Sequence, residues 1–220
     1  VSLPLAVRFR GITTREALLI DGPAGWGEFA PFLEYCPAES AAWLRAGLEA
    51  AYEGFPEPVR DSIEVNATIP AVPASEVPAL VERYPGCRTF KIKVAEKGHT
   101  LADDAARVRA VRDAVTQRGD IPILRVDANG GWTVEEAVQA AQMMMPLDYM
   151  EQPCATTEEL AQVRGRLMRA GLFVRVAADE SIRKVADPYR VAELQAADVA
   201  VVKPAPVSYT HLRAHETPEH

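Results

Sequence analysis

Four apolar runs in this chain each end on a single charged residue: Ile123–Val126 on Asp127, Leu147–Met150 on Glu151, Val174–Ala178 on Asp179, and Val199–Val202 on Lys203. A short apolar run bounded by turn signals reads as a buried strand. A charge at its C-terminal tip is costly to bury unless it is paired or bound to a metal. In a parallel α/β barrel those tips form the mouth where chemistry takes place. A fifth run, Thr89–Val94, carries Lys91 and Lys93. Strand side chains alternate faces, so the two lysines point the same way.

Helical segments separate the runs. Ala105, Val108, Val111 and Val115 keep a helical apolar spacing. Thr133 with Glu136, and Thr156 with Glu159, read as capping boxes that open two helices. Asn129-Gly130-Gly131 reads as a turn just past a strand tip. From Lys93 to Lys203 the tips follow one another at 34, 24, 28 and 24 residues, each close to one βα unit. Regular alternation of this kind implies a parallel sheet covered by helices. The strands expected are Ile63–Ile69, Thr89–Val94, Ile121–Asp127, Leu147–Glu151, Val174–Asp179 and Asp198–Lys203.

The first 61 residues read differently. Leu18-Leu19-Ile20 and Gly25–Phe29 suggest antiparallel strands joined near Asp21-Gly22-Pro23, and a helix is expected from about Ala38 to Glu53. Phe55-Pro56-Glu57-Pro58 reads as a linker from this α+β unit to a barrel spanning residues 62–206. Residues 207–220, with His211, His215 and His220, break the alternation. They read as a foreign extension, with a histidine-rich metal site as the other reading.

Thirty-one acidic against 24 basic side chains give a net charge of −7. That balance argues against a partner bound through phosphate neutralisation, hence no nucleic acid. No apolar stretch approaches a membrane span. Cys36, Cys87 and Cys154 are scattered, with no paired or zinc spacing. They read as small buried hydrophobes in a protein of the reducing cytoplasm.

Asp127, Glu151 and Asp179 offer oxygen donors on three successive tips, which suits Mg²⁺, with Mn²⁺ as an alternative. Without histidine or cysteine beside them, zinc fits less well. A metal there could hold a substrate carboxylate while a lysine removes the α-proton. Lys91 beside Lys93 makes each harder to protonate, and partial burial pushes the same way. Taken singly these features are bland. A Lys-x-Lys can be a solvated strand face, an Asp before Asn-Gly-Gly a turn former, and Glu151 or Asp179 a loop charge. Their order on five consecutive tips is what makes the set specific.

Lys91-Ile92-Lys93, Asp127-Ala128-Asn129-Gly130, Glu151-Gln152-Pro153, Asp179-Glu180-Ser181 and Lys203-Pro204 resemble, in order, the pattern of the enolase superfamily, within its muconate lactonising enzyme-like group. Gly25–Pro31 and Leu124–Gly130 look most like the o-succinylbenzoate synthase family of menaquinone biosynthesis. The resemblance implies a (β/α)₈ barrel with a small N-terminal capping domain. Here the barrel would be incomplete, with about six strands and the last two βα units absent. It implies Mg²⁺ on Asp127, Glu151 and Asp179, and Lys93 as the base and acid of a syn dehydration. The substrate would be 2-succinyl-6-hydroxy-2,4-cyclohexadiene-1-carboxylate. It also implies Lys91 beside the substrate carboxylate and Lys203 stabilising the enediolate from the opposite face. Asn129 and Glu180 would support the metal ligands, Arg125 would line or support the pocket, and a loop with Gly25, Trp26 and Phe29 would close over the substrate. Two other readings remain open. One is an N-succinylamino-acid racemase or dipeptide epimerase, which would use Lys93 and Lys203 as two bases. The other is a non-catalytic barrel fragment.

Overall fold

The computed structural model describes residues 1–9, 12–55, 57–183 and 187–203. They fall into two units, one built mainly from Val1–Asp61 and the other from Ser62–Ile182 with residues up to Val201. The histidine-rich segment and Pro56 lie outside the described residues.

The first unit holds two antiparallel pairs. Strand β1 (Ser2–Phe9) pairs with β2 (Ile12–Glu16), and β3 (Leu18–Gly22) pairs with β4 (Gly25–Phe29). Helix α1 (Pro37–Tyr52) packs on the second pair. That packing is close enough to require glycine: a Cβ on Gly27 would collide with the carbonyl oxygen of Gly47. Phe32 meets Tyr35 and Trp43 edge-on, those two rings are tilted against each other, and the Arg15 guanidinium lies 4.2 Å from the Phe32 ring centre. The β1–β2 hairpin was not legible, because its partly polar strand carries exposed residues such as Leu3 and Thr13 and no clean alternation.

The second unit alternates strand and helix: β5 (Ala67–Ile69), α2 (Val77–Glu82), β6 (Thr89–Lys93), α3 (Leu101–Gln117), β7 (Ile123–Asp127), α4 (Val134–Met144), β8 (Tyr149–Glu151), α5 (Thr157–Arg169), β9 (Arg175–Ala178), α6 (Asp187–Glu193) and β10 (Val199–Ala200). The six strands form one parallel sheet in the order β10-β9-β8-β7-β6-β5, an incomplete α/β barrel. One face of each strand feeds the core. Phe90, Ile92, Leu124, Val126, Met150 and Val176 are buried against Val108, Val111, Ala140, Ala141, Leu160 and Val163 on the helices. Burial of each such aliphatic or aromatic group contributes roughly 1.5–3 kcal/mol. The opposite face carries Lys91, Lys93, Arg125, Asp127 and Glu151, as the period of two requires.

The capping boxes form as expected. Thr133 and Thr156 accept from Glu136 N and Glu159 N, and each glutamate reaches back to its threonine. Thr100 and Asp103 do the same for α3. Several strands are shorter than the sequence suggested. Ile63 and Val65 are exposed, and pairing begins only at Ala67. β10 pairs through Val199 and Ala200 alone, so Lys203 lies three residues past the strand rather than at its tip. The cysteine expectation holds only in part. Cys154 is buried, its thiol pushed up to about 12 by burial and then by the nearby Glu159 carboxylate. Cys87 is half-buried, and Cys36 is exposed at the start of α1. Among the described residues no helix is long and apolar enough to cross a membrane.

Candidate active site

Strand register brings the charges together. Lys93 is the Cα partner of Asp127, Asp127 of Glu151, and Glu151 of Ala177. Asp179 lies two residues past Ala177 and one past the end of β9, on the same strand-face phase. Adjacent strands are about 4.8 Å apart, so the three carboxylates stand on neighbouring tips. All three are buried, at 1% exposure for Asp127 and Glu151 and 7% for Asp179.

The lysines occupy this carboxylate row. Lys93 Nζ donates to Asp127 Oδ2 at 2.6 Å and to Asn129 Oδ1 at 2.7 Å. Lys91 Nζ donates to Glu151 Oε1 at 2.9 Å and lies 3.2 Å from Asp127 Oδ2. Both lysines therefore do point to one face. The protonation expectation for Lys91 is corrected. Burial disfavours its charge, but the hydrogen bond and charge of Glu151, with Asp127 behind, outweigh burial and raise its pKa above 10.5. Burial also works against the Asp127 carboxylate, yet Lys93 first and then Lys91 hold it below 3.8. Glu151 goes the other way: burial, then the Asp127 charge, push it above 4.5 despite Lys91.

Asn129 sits at the sharp turn after β7 with φ +46°, where asparagine is better tolerated than most residues. Its N–H donates to Asp127 Oδ1 at 3.1 Å and its Nδ2 to Glu180 Oε1 at 3.1 Å. Asn129 thus links Lys93, Asp127 and Glu180. Arg125 is placed elsewhere. It lies one inward-facing position below Asp127, pairs with Asp148 at 2.9 Å and Asn66 at 3.0 Å, and stacks 4.8 Å over the Tyr149 ring. Its partners belong to the barrel interior and not to the carboxylate row.

Gly25, Trp26 and Phe29 form a regular strand, β4, and not a loop; irregular backbone follows only from Ala30. Trp26 is 66% exposed. Lys203 is exposed and groups with the first unit.

Two arrangements were missed in the sequence. Gln152 is fully buried with φ +37°, and its side chain makes four hydrogen bonds, to Cys154, Ser181 and Asp179. A left-handed backbone at a residue other than glycine costs roughly 1–2 kcal/mol, so the surrounding bonds must hold it. Arg107 and Asp104 form an ion pair at 2.7 Å, each 1% exposed. Arg107 Nη1 donates to the Lys93 carbonyl at 2.9 Å, and Asp104 Oδ2 accepts from Ala95 N at 2.9 Å. This pair fixes the backbone on both sides of Val94. The signal available in sequence was only two charges at helical i, i+3 spacing, which usually marks a solvated face.

Among the described residues no three His, Cys, Asp or Glu side chains are already gathered as a metal-binding set. The lysines hold Asp127 and Glu151 in their present rotamers. The donors nevertheless suit a hard cation. They are all oxygen, they are buried on adjacent tips, and among the described residues Glu151 Oε2 is buried without a hydrogen-bond partner. An unpartnered buried carboxylate oxygen is costly, and a cation would relieve that cost.

The enolase N-terminal domain-like family matches residues 1–51, and the enolase C-terminal domain-like family matches residues 74–213. The chain is 57% identical over 210 residues to a Mycolicibacterium smegmatis protein named o-succinylbenzoate synthase, covering 94% of this chain and 62% of that protein. It is 58% identical to the protein of that name from Mycobacterium leprae, covering 94% of this chain and 60% of the relative. The chain thus spans about three fifths of the length of these curated relatives. The crystal structure of o-succinylbenzoate synthase from Thermosynechococcus elongatus BP-1, complexed with Mg in its active site, superposes with a TM-score of 0.71 at 20% identity. That match covers 99% of this chain and 80% of the other, and at that identity it speaks for the fold. The match over residues 74–213 covers more than half of the chain, the match over residues 1–51 accompanies it, and the chain belongs to the enolase superfamily.

Proposed function

We propose that the whole protein is an o-succinylbenzoate synthase, dehydrating 2-succinyl-6-hydroxy-2,4-cyclohexadiene-1-carboxylate in menaquinone biosynthesis. The observation that carries this reading is Lys93 Nζ, held by Asp127 and Asn129 at the edge of the buried carboxylate row. The identity to relatives of that name supports the substrate choice.

As a base Lys93 acts as the neutral amine, with two N–H bonds and one lone pair; its ammonium form is the one ion-paired with Asp127. With both N–H groups donated to Asp127 and Asn129, the lone pair is left to accept the substrate's α-proton. The C–H electron pair moves onto the substrate carboxylate as an enediolate, then returns to form the new ring double bond and expels the hydroxyl group from the neighbouring carbon. The new ammonium then gives its third proton to that departing hydroxide, which leaves as water. One residue serves as base and acid, and the atoms balance. Lys91, kept cationic by Glu151 and Asp127, provides a positive charge for the substrate carboxylate. Asp127, Glu151 and Asp179 would hold Mg²⁺. When bound, that ion would supply positive charge against the negative charge that builds on the carboxylate as the proton leaves. Asn129 and Glu180 keep Asp127 and Lys93 oriented. The same reading includes a small-molecule carboxylate as the partner and a cytoplasmic location, which the three free cysteines suit.

The test is absorbance-monitored formation of o-succinylbenzoate by the full-length protein, with and without Mg²⁺ and with Lys93→Ala alongside. Turnover that needs the metal and is lost in the variant is expected. Undiminished turnover by Lys93→Ala would sink the assignment.

A further inference from the structure

Gln152 joins three strand tips at once. Its backbone N–H donates to the Ala177 carbonyl at 2.8 Å, and its own carbonyl accepts from Gly130 N at 2.7 Å. Its side-chain oxygen accepts from Asp179 N and Ser181 N, each at 3.1 Å. Its side-chain nitrogen donates to the Cys154 carbonyl at 3.0 Å and Ser181 Oγ at 2.7 Å. An amide side chain has two acceptor sites and two donors, and all four are used. The residue is fully buried.

These bonds bracket the carboxylates. Gln152 follows Glu151 directly, reaches the turn after Asp127 through Gly130, and grips the backbone of Asp179 itself. Its left-handed backbone turns the chain so that one residue reaches both neighbouring strands. Among the described residues no strand pairing reaches Asp179, because β9 ends at Ala178; its carbonyl accepts from Ile182 N at 3.1 Å, and the amide clamp holds its N–H.

We infer that Gln152 is a positioning residue that sets the spacing of Asp127, Glu151 and Asp179 for a divalent cation, through its side-chain clamp on the amides of Asp179 and Ser181. The inference rests on the reading of those three carboxylates as metal ligands. Gln152 does not touch the cation or the substrate. Groups that orient metal ligands typically affect affinity by 10- to 100-fold.

The experiment is Mg²⁺ titration of the metal-free full-length protein by calorimetry, with amide hydrogen exchange and thermal melting run on the same samples. Gln152→Gly removes the clamp and relieves the left-handed backbone. Gln152→Asn keeps an amide, but one methylene too short to span both N–H groups. Both variants are expected to bind Mg²⁺ at least about 10-fold more weakly, with faster exchange at Asp179 and Ser181. A folded Gln152→Gly with wild-type Mg²⁺ affinity overturns the inference, because a purely structural role would shift only the melting temperature. Asp179→Asn separates metal ligation from positioning. If it binds Mg²⁺ normally, the ligand assignment falls and the inference with it. If it loses Mg²⁺ while both Gln152 variants keep it, only the positioning role falls. Should both Gln152 variants unfold, the wild-type protein decides: protected Asp179 and Ser181 amides support the clamp, and exchange at the rate of free amides overturns it.

Discussion

Lys93 and Asp127 are Cα partners on adjacent parallel strands, and their side chains meet at 2.6 Å. Thirty-four residues of chain separate them. The pairing is inherited from strand register, since a one-residue slip would send one of the two to the helix-facing side. Lys91 makes a second contact with the same Asp127 oxygen, so this carboxylate keeps a cation when either lysine is removed.

That redundancy makes Lys93→Met a clean test. Asp127 retains Lys91, and the fold should persist. In the full-length protein we expect turnover to fall by about 10²–10⁴-fold, the usual worth of a positioned acid/base group. Circular dichroism and the melting temperature should stay near wild type. A variant that unfolds instead would assign Lys93 a structural role.

The acid limb of stability should depend on Asp127. Its pKa is lowered in the fold, chiefly because its hydrogen bond to Lys93 overcomes burial. Its contribution is therefore present above the unfolded value of 3.8 and disappears as pH falls through the lower folded value. Lys91 has the opposite sense: its contribution is present below 10.5 and is lost as pH rises through its raised value. Melting temperature against pH for metal-free wild type and Asp127→Asn should converge at the acid end. Parallel curves down to the lowest pH would rule this out.

Glu151 should show a conflict between stability and binding. Burial and the Asp127 charge raise its pKa, so its ionised form costs stability, increasingly as pH rises from 4.5 through the folded value. At pH 7, Glu151→Gln is expected to raise the melting temperature of the metal-free protein and to weaken Mg²⁺ binding. A gain of about 1 kcal/mol corresponds to roughly 2–4 °C for a chain of this size. A lower melting temperature with unchanged Mg²⁺ affinity is the result that would refute both halves.

Mg²⁺ should stabilise the protein in proportion to its occupancy. At one hundred times the dissociation constant the gain is about 2.7 kcal/mol. Chelation should reverse it, and Asp179→Asn should abolish it. Thermal melts with added Mg²⁺ and then EDTA provide the check.

Arg107→Met should be among the most damaging substitutions outside the carboxylate row. It leaves Asp104 buried without its counter-charge and the Lys93 and Val72 carbonyls without their donor. Breaking one side of a buried pair costs about 3–5 kcal/mol, readable as a shift of the denaturant midpoint. An unshifted midpoint would show that the pair contributes nothing net.

The chain's local regularities were legible because they follow short periods. Two-residue alternation put Lys91 and Lys93 on one face, and threonine–glutamate spacing marked the starts of α4 and α5. Ordered βα spacing put Asp127, Glu151 and Asp179 at the ends of successive strands. Strand ends were less legible, since pairing at β5 and β10 depends on neighbours that composition does not name.

What the amino-acid order alone determined is thus the architecture and the row of charges on its strand tips. Tertiary structure decided how those charges behave. Lys91 is held protonated because two buried carboxylates, 36 and 60 residues further on, outweigh its burial. Arg125 turns to Asp148 and Asn66, Gln152 becomes the join between three tips, and Arg107 is sealed in the interior. Local spacing fixes which way a side chain points. Its partners, its burial and hence its charge are set by residues that only folding brings within hydrogen-bonding distance.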